Sequence, residues 1–548
     1  MNKSQEKTRQ RPWGRRRWVA WTGGTVVLLA VMALATVEYE ARNAEPILRK
    51  RVVDTLTARF HSPVELDALH LSVSHGLAVT GEGLRILYLA GPTEPSLASR
   101  GTPMLSVRSF QFHMGLPGLW RPASRVVTVY VQGMRLDIPP GKDRGQVLAG
   151  KGGKKAQPRI GITVDQIECA DTVLLLETDK PGRPPLEFDI QNLTLKDMGN
   201  AQPFQYDATL VNPKPLGNIH STGHFGPWND ADPRETPVDG DFSFTHADLS
   251  TIKGIGGMLS SVGRFSGPLQ ELTVDGETDT PDFRVDTGNH AVPLHTEFHA
   301  IVDGTTGDTT LAPVRAKLLR SSFTASGTIM RVTQSDGHKG HDIALDVVMD
   351  GARIEDMLQL GVKTEPPLMR GGLAMRAKIH IPPGNSSVSK KLHLDGTFTI
   401  GGATFSNPKV QQKVDSLSMR AQGEPEKANP QDATLATSTM TGHFVLGNAM
   451  TTITGLHYQV PGALILMDGQ YSLNGETFDF HGVVRTTATA SQMTTGWKSK
   501  LLKPVDRFLK KNGAGMEIPV KITGTKSDPQ FGLDFGRKQN VPAGIPKP

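Results

Sequence analysis

Leu392-His393-Leu394-Asp395-Gly396-Thr397-Phe398-Thr399-Ile400 alternates apolar and polar side chains. Successive residues of a β-strand point to opposite faces, so Leu392, Leu394, Phe398 and Ile400 share one face and His393, Asp395, Thr397 and Thr399 the other. The pattern repeats outward. Ile343, Leu345, Val347 and Met349 oppose Ala344, Asp346, Val348 and Asp350, and Leu186, Phe188 and Ile190 oppose Glu187, Asp189 and Gln191. Such strands have one greasy and one mostly wet face. With 58 Gly, 38 Pro and only 6% aromatics, the 548-residue chain is expected to be mainly β, with many short strands and turns.

A short phrase recurs along this body: a small or acidic residue, Gly, then an aromatic two positions later. It occurs at Asp239-Gly240-Asp241-Phe242, Asp395-Gly396-Thr397-Phe398, Thr441-Gly442-His443-Phe444 and Asp468-Gly469-Gln470-Tyr471. The Gly reads as the end of a turn and the aromatic as the start of a strand, so each copy would mark a new hairpin. Irregular spacing argues against a solenoid of fixed period. Toward the N-terminus, strands are expected at Leu66–Val73, Leu77–Leu89, Leu105–His113 and Val126–Ile138. Residues 139–158 lose periodicity, are rich in Gly, Pro and Lys, and read as a flexible loop or linker.

Helical spacing of apolar residues is expected at Pro46–Phe60, where the proline suits a first helical turn, and at Ala247–Leu259, Ala352–Leu360 and Asn407–Ser418. Trp497, Leu501, Leu502, Val505, Phe508 and Leu509 form a stripe among lysines. That basic amphipathic helix fits an anionic lipid surface and equally the plugged end of a sheet.

The longest apolar run is Trp18–Val37, with Trp18, Trp21, Val26, Leu28, Leu29, Val31, Leu34 and Val37 as anchoring side chains. Its length in a helix is ~30 Å, matching a bilayer's hydrocarbon core. Residues 1–17 carry seven basic side chains and one acidic, which accounts for the whole formal charge of +6. The positive-inside rule therefore keeps the N-terminus in the cytoplasm and exports a neutral body. Ala33-Leu34-Ala35 is also a triplet that a signal peptidase cuts, and an uncleaved anchor and a cleaved signal peptide both export the body. A neutral body gives no basic face for nucleic acid.

Motifs for chemistry are sparse. Gly145–Lys151 has P-loop spacing, but Gly152 stands where the metal-binding hydroxyl belongs. His295, Glu297 and His299 would share a strand face, as metal ligands or as an ordinary polar surface. His338 and His341 lie in or beside a Gly337–Gly340 loop. Asp275, Glu277 and Asp279 surround Gly276, read as a turn residue. Cys169 cannot form an intrachain disulfide and reads as a packed hydrophobe. No catalytic, cofactor or metal residue is expected, and an exported polysaccharide-acting enzyme is a minor alternative.

The order of parts resembles the AsmA family of bacterial envelope proteins, which includes the larger TamB and YhdP. The residues that carry the resemblance are the N-terminal run with the Pro46–Phe60 helix, the block Ala247–Ser250 with Gly263–Gly267, and above all the C-terminal run. That run comprises Gly469–Leu473, Phe478–Arg485, Ser491–Met493, the Trp497–Lys511 helix, Ile518–Thr525 and Asp528–Phe535. The resemblance implies a long, twisted, taco-shaped antiparallel β-sheet with an apolar concave face, anchored in the inner membrane and projecting into the periplasm. It implies phospholipid as partner, conducted towards the outer membrane in support of outer-membrane biogenesis, with outer-membrane components as further partners. The expected parts are a cytoplasmic segment (1–17), a transmembrane helix (18–37), a first helix-and-strand region (38–138), the linker, and a middle groove region (159–390). A C-terminal region (391–535) containing the 491–511 helix and a disordered tail (536–548) complete the chain. Groove-lining candidates are Ile343, Leu345, Val347, Leu392, Leu394, Phe398, Ile400, Phe478, Phe480, Ile518, Val520 and Ile522, each of which also reads as ordinary packed core. The alternative function is an assembly factor for outer-membrane proteins that offers strand edges to partner strands.

Overall fold

The structure is a computed structural model. It describes Met32 and residues 45–58, 62–72, 77–87, 103–114, 123–138, 161–177, 185–197, 202–227, 229, 232–334, 337, 339–363, 365–428, 438–472, 477–496, 500–504, 506, 515–525 and 528–534. The chain is mainly β with few helices and divides into two compact units. One comprises Met1–Leu175 with Ile190–Tyr206, the other Leu176–Asp189 with Asp207–Pro548.

In the first unit, helix α1 (residues 45–58) precedes β1 (Val64–Glu65), β2 (Ala68–Ser72), β3 (Leu77–Ile86), β4 (Leu105–Met114), β5 (Ala123–Ile138) and β6 (Gly161–Leu176). The first two strands pair with β3, which continues antiparallel through β4 to β5. The expected amphipathic stripe of α1 buries Leu48 and Val52 against Leu69, Val79, Phe110 and Phe112. Its start is fixed by Glu45, whose carboxylate accepts from the Leu71 amide at 2.9 Å.

Strand β7 (Leu186–Lys196) contributes to both units, as does the strand that follows it, whose first three residues belong to the first unit and the remainder to the second. The second unit continues with β8 (Phe204–Pro213), β9 (Leu216–Phe225), β10 (Pro237–Asp248), β11 (Ile255–Gly256), β12 (Met258–Pro268), β13 (Leu272–Val285), β14 (Val292–Val302), β15 (Thr309–Leu318), β16 (Ser321–Thr333) and β17 (Lys339–Arg353). Helix α2 (Ile354–Gly361), β18 (Met369–Ile381), the single turn α3 (Val388–Lys391), β19 (His393–Phe405) and α4 (Pro408–Ala421) follow. The chain then runs through β20 (Thr439–Gly447), β21 (Met450–Val460), β22 (Ala463–Ser472), β23 (Thr477–Thr486), β24 (Met516–Thr525) and β25 (Pro529–Leu533). From β9 to β25 each strand pairs antiparallel with the next, except that short β11 pairs with β13 and leaves β10 to pair with β12.

The helices expected at Ala352–Leu360 and Asn407–Ser418 form as α2 and α4. The second opens with Asn407 accepting from the Lys409 and Val410 amides and with proline in its first turn. The helix expected at Ala247–Leu259 does not form. Strand β10 runs to Asp248, a single 3-10 turn covers Leu249–Thr251, and Gly254 and Gly257, at φ of +101° and +126°, reverse the chain into β12. Apolar spacing there resembles a helix only because the turn is compact.

The Gly-aromatic phrase is likewise not a turn signal. Gly240, Gly396, Gly442 and Gly469 all lie inside strands. At Gly442 and Gly469 the use is steric. A Cβ on Gly469 would come 2.5 Å from the Phe480 ring of the adjacent strand, and one on Gly442 3.1 Å from the Phe398 ring. Gly276, expected in a turn, is mid-strand in β13 and does the same for Phe298.

The sheet of this unit curls. Lys413 of α4, a helix that packs against Phe405 of β19, places its Nζ 4.4 Å from the Phe531 ring of β25, so the C-terminal strands wrap one helix. No helix among the described residues is long and apolar enough to cross a membrane. Trp18–Val37, apart from Met32, lies outside the described residues, as do 139–158, most of 497–511 and 536–548.

Candidate functional site

Register, rather than any single residue, builds the candidate site. Val347, Ala377, Gly396, Phe444, Ile453, Gly469, Phe480, Ile522 and Phe531 are successive cross-strand partners from β17 to β25. Every member of this row is apolar or glycine. At about 4.8 Å between strands, the row extends roughly 38 Å along the curled surface. Parallel rows flank it. Leu345, Ile379, Leu394 and Leu446 are partners in one; Leu373, Ile400, Met440, Tyr458, Ile465, Val484 and Ile518 in another.

The groove candidates therefore lie on one face of the sheet. Ile343 pairs with Ile381 beside Leu345, Phe398 with Met375, Phe478 with Tyr471, and Val520 with Gly482. Leu392 stands just before β19 and is half-buried. Phe478 stacks on Tyr471 at 5.0 Å between ring centroids, which smooths the surface further.

Two helices cover one end of this face. Ile354 and Met357 of α2 pack on Val347, Met349, Leu373 and Ile400, and Val414 and Leu417 of α4 on Tyr458, Val460 and Ala463. Under them Ile400 retains 3% exposure and Val347 4%. Toward the other end Ile343, Leu345, Leu394 and Phe444 remain only half-buried. The apolar face is thus covered by helices at one end and partly accessible at Ile343, Leu345, Leu394 and Phe444 toward the other, a geometry that suits a long flexible apolar ligand.

The closed end is held by charge. Glu355 and Asp356, in the first turn of α2, turn back to Arg320 at 3.0 and 3.4 Å, and Asp356 also accepts from the Ser321 hydroxyl at 2.8 Å. Their side chains are 9% and 3% exposed; Asp356 draws its partners from the Arg320–Ser321 turn, whereas Glu355 also accepts from the Gly371 amide at 3.2 Å and pairs with Arg353 at 3.6 Å.

The opposite face is polar and carries repeated histidine-aspartate pairs between neighbouring strands. His295 lies 2.8 Å from Asp279, His299 2.7 Å from Asp275, His380 2.9 Å from Asp342 and His443 2.7 Å from Asp395. His295, Glu297 and His299 share a face as expected, but each histidine turns to a β13 carboxylate. No group able to hold a metal is present among the described residues. The alternation breaks at β22 and β23, where Leu464, Leu466 and Val483, on this second face, are also buried.

In the first unit, Cys169 is buried and burial pushes its thiol up to about 11, leaving it protonated at neutral pH. It borders a cavity of about 370 Å³ with Thr80, Gln111, Tyr130 and Gln132, which presents no paired acid and base. No family model, no curated protein and no solved structure matches the chain.

Proposed function

We propose that the protein binds phospholipid acyl chains on the apolar face of β16 to β25 and conducts lipid along that face between the inner and outer membranes. In this reading the sheet is an AsmA-like, taco-shaped groove, residues 18–37 anchor it in the inner membrane, and the body lies in the periplasm. The unbroken apolar row from Val347 to Phe531 carries the reading. A row of that length without a polar residue would be costly to leave wet. An acyl chain laid on it gains about 0.8 kcal/mol per buried CH₂, while its headgroup stays in water. The phenyl-over-glycine packing keeps the surface free of ridges, so that a chain can slide.

The test is extraction of lipid from the full chain purified in mild detergent, read by mass spectrometry. Near-stoichiometric phospholipid is expected, falling several-fold in a folded Leu345→Glu/Phe398→Glu variant. Absence of lipid from the wild-type protein sinks the proposal.

A second reading, an assembly factor for outer-membrane proteins, draws on the last strand. Among the described residues β25 pairs with β24 alone, and Phe531 and Leu533 are 46% and 53% exposed. Such an edge can accept a partner strand.

A further inference from the structure

The apolar face ends in positive charge. Ile329 and Ile343 are cross-strand partners, and two positions further along the same strands Arg331 faces His341. Both therefore lie on the apolar side of the sheet, at the end away from α2 and α4. Lys391 of α3 reaches the same place: its Nζ donates to the Gly384 carbonyl at 2.9 Å, and Gly384 lies beside Gln334, just past β16. Lys214, in the turn between β8 and β9, is close enough to act electrostatically on both His341 and Lys391.

Four groups that can carry positive charge thus converge where the greasy surface stops. Partial burial, then Arg331, Lys214 and Lys391, hold the His341 imidazole below its usual range, and burial and Lys214 do the same to the Lys391 amine. Neighbouring acids offset only part of this. Asp308 lies beside Arg331 and accepts from its backbone amide at 3.0 Å, Asp286 is engaged by Ser389, and Asp342 faces His380. Backbone carbonyls of Thr306 and Pro185 orient the Arg331 guanidinium. Clustered like charge is destabilising, and an anion with several oxygens relieves it by accepting charge-assisted hydrogen bonds. Arginine's planar fork suits phosphate in particular.

We propose that Lys214, Arg331, His341 and Lys391 form the seat for the phosphate of an anionic phospholipid whose chains lie along the adjoining apolar face. This rests on the lipid-binding reading above. It adds selectivity: phosphatidylglycerol, with one net negative charge, is favoured over phosphatidylcholine, whose choline brings a cation into a cationic site.

The test incubates the full chain with vesicles of equal phosphatidylglycerol and phosphatidylcholine and reads bound lipid by mass spectrometry. Wild type is expected to take phosphatidylglycerol preferentially. Lys214→Glu/Lys391→Glu should lower that preference roughly tenfold while total bound lipid is retained. If circular dichroism shows this variant unfolded, Lys214→Gln/Lys391→Gln takes its place. A folded variant with unchanged preference overturns the phosphate seat and leaves the lipid reading standing. A wild type that binds no lipid overturns both. Phosphorus NMR with inorganic phosphate separates the remaining source of the same chemistry. Line broadening by wild type but not by the variant, with lipid preference unaltered, makes the cluster a free-phosphate site and overturns the headgroup assignment.

Discussion

Ser389 Oγ lies 3.1 Å from Asp286 Oδ2, although 103 residues and the strands β14 to β18 separate them. Asp286 follows the end of β13 and Ser389 precedes the start of β19, so opposite ends of two co-directional strands meet. Twist accounts for this. At about 20–25° per strand, six strand steps turn the sheet by roughly 120–150°. The Val388 amide, donating to the Lys253 carbonyl at 2.9 Å, is a second tie across the same coil.

Breaking the side-chain tie should loosen the coil without unfolding the strands. Asp286→Ala is expected to cost about 1 kcal/mol or less, because the bond is exposed, and to raise amide hydrogen exchange in residues 384–392 selectively. Uniform exchange changes over the whole sheet would contradict a local tie.

Glycine substitution should follow the rings. In Gly469→Ala the new methyl meets the Phe480 ring at 2.5 Å and the Asp479 carbonyl at 2.4 Å, for a loss of about 1–3 kcal/mol. Gly442→Ala, at 3.1 Å from the Phe398 ring and in ordinary contact with Ile453, should cost clearly less. Thermal melts of the two variants give the comparison, and equal losses would show that ring contact does not set the cost.

The closed end has an asymmetric pair. Asp356→Ala removes the acceptor of the fully buried Ser321 hydroxyl and of the Arg320 amide, and is expected to cost about 2–3 kcal/mol. Arg320→Ala removes a side chain that is 60% exposed, whose charge is already screened, and should cost about 1 kcal/mol. Denaturant midpoints read the order directly.

The face-forming pattern was legible in Leu392–Ile400 because a period of two survives in any half-buried strand. Helix α4 was legible in the helical spacing of its apolar residues, which the Asn407 cap and Pro408 reinforce in the structure. The role of Gly442 and Gly469 was not, because a glycine's tolerance for a neighbouring ring depends on register, which joins residues far apart in sequence. Ala247–Leu259 misled because apolar spacing does not distinguish a helix from a turn set by Gly254 and Gly257. The cationic end of the apolar face was illegible because strand register pairs Arg331 with His341 and the fold brings Lys214 and Lys391, distant in sequence, to the same place.

Acid should weaken the protein through His341. Its folded-state value is depressed, so as pH falls through the ordinary histidine value of about 6.5 the unfolded chain takes the proton first and stability declines. The groups facing it are Arg331, Lys214 and Lys391, with Asp308 beside Arg331. His341→Gln should flatten this part of the stability profile between about pH 5 and 7. An identical slope in wild type and variant would show that His341 does not report the cationic cluster.

Phe398 and Thr397 are adjacent in β19 and project to opposite faces, the first toward the apolar row and the second, exposed, toward His443. A photocrosslinking amino acid placed at each position, in otherwise identical full-length protein within membranes, measures lipid contact on the two faces separately. Covalent phospholipid adducts at position 398 and none at 397 are predicted. Equal labelling at both positions, or none at 398 in a folded protein, would contradict the lipid groove.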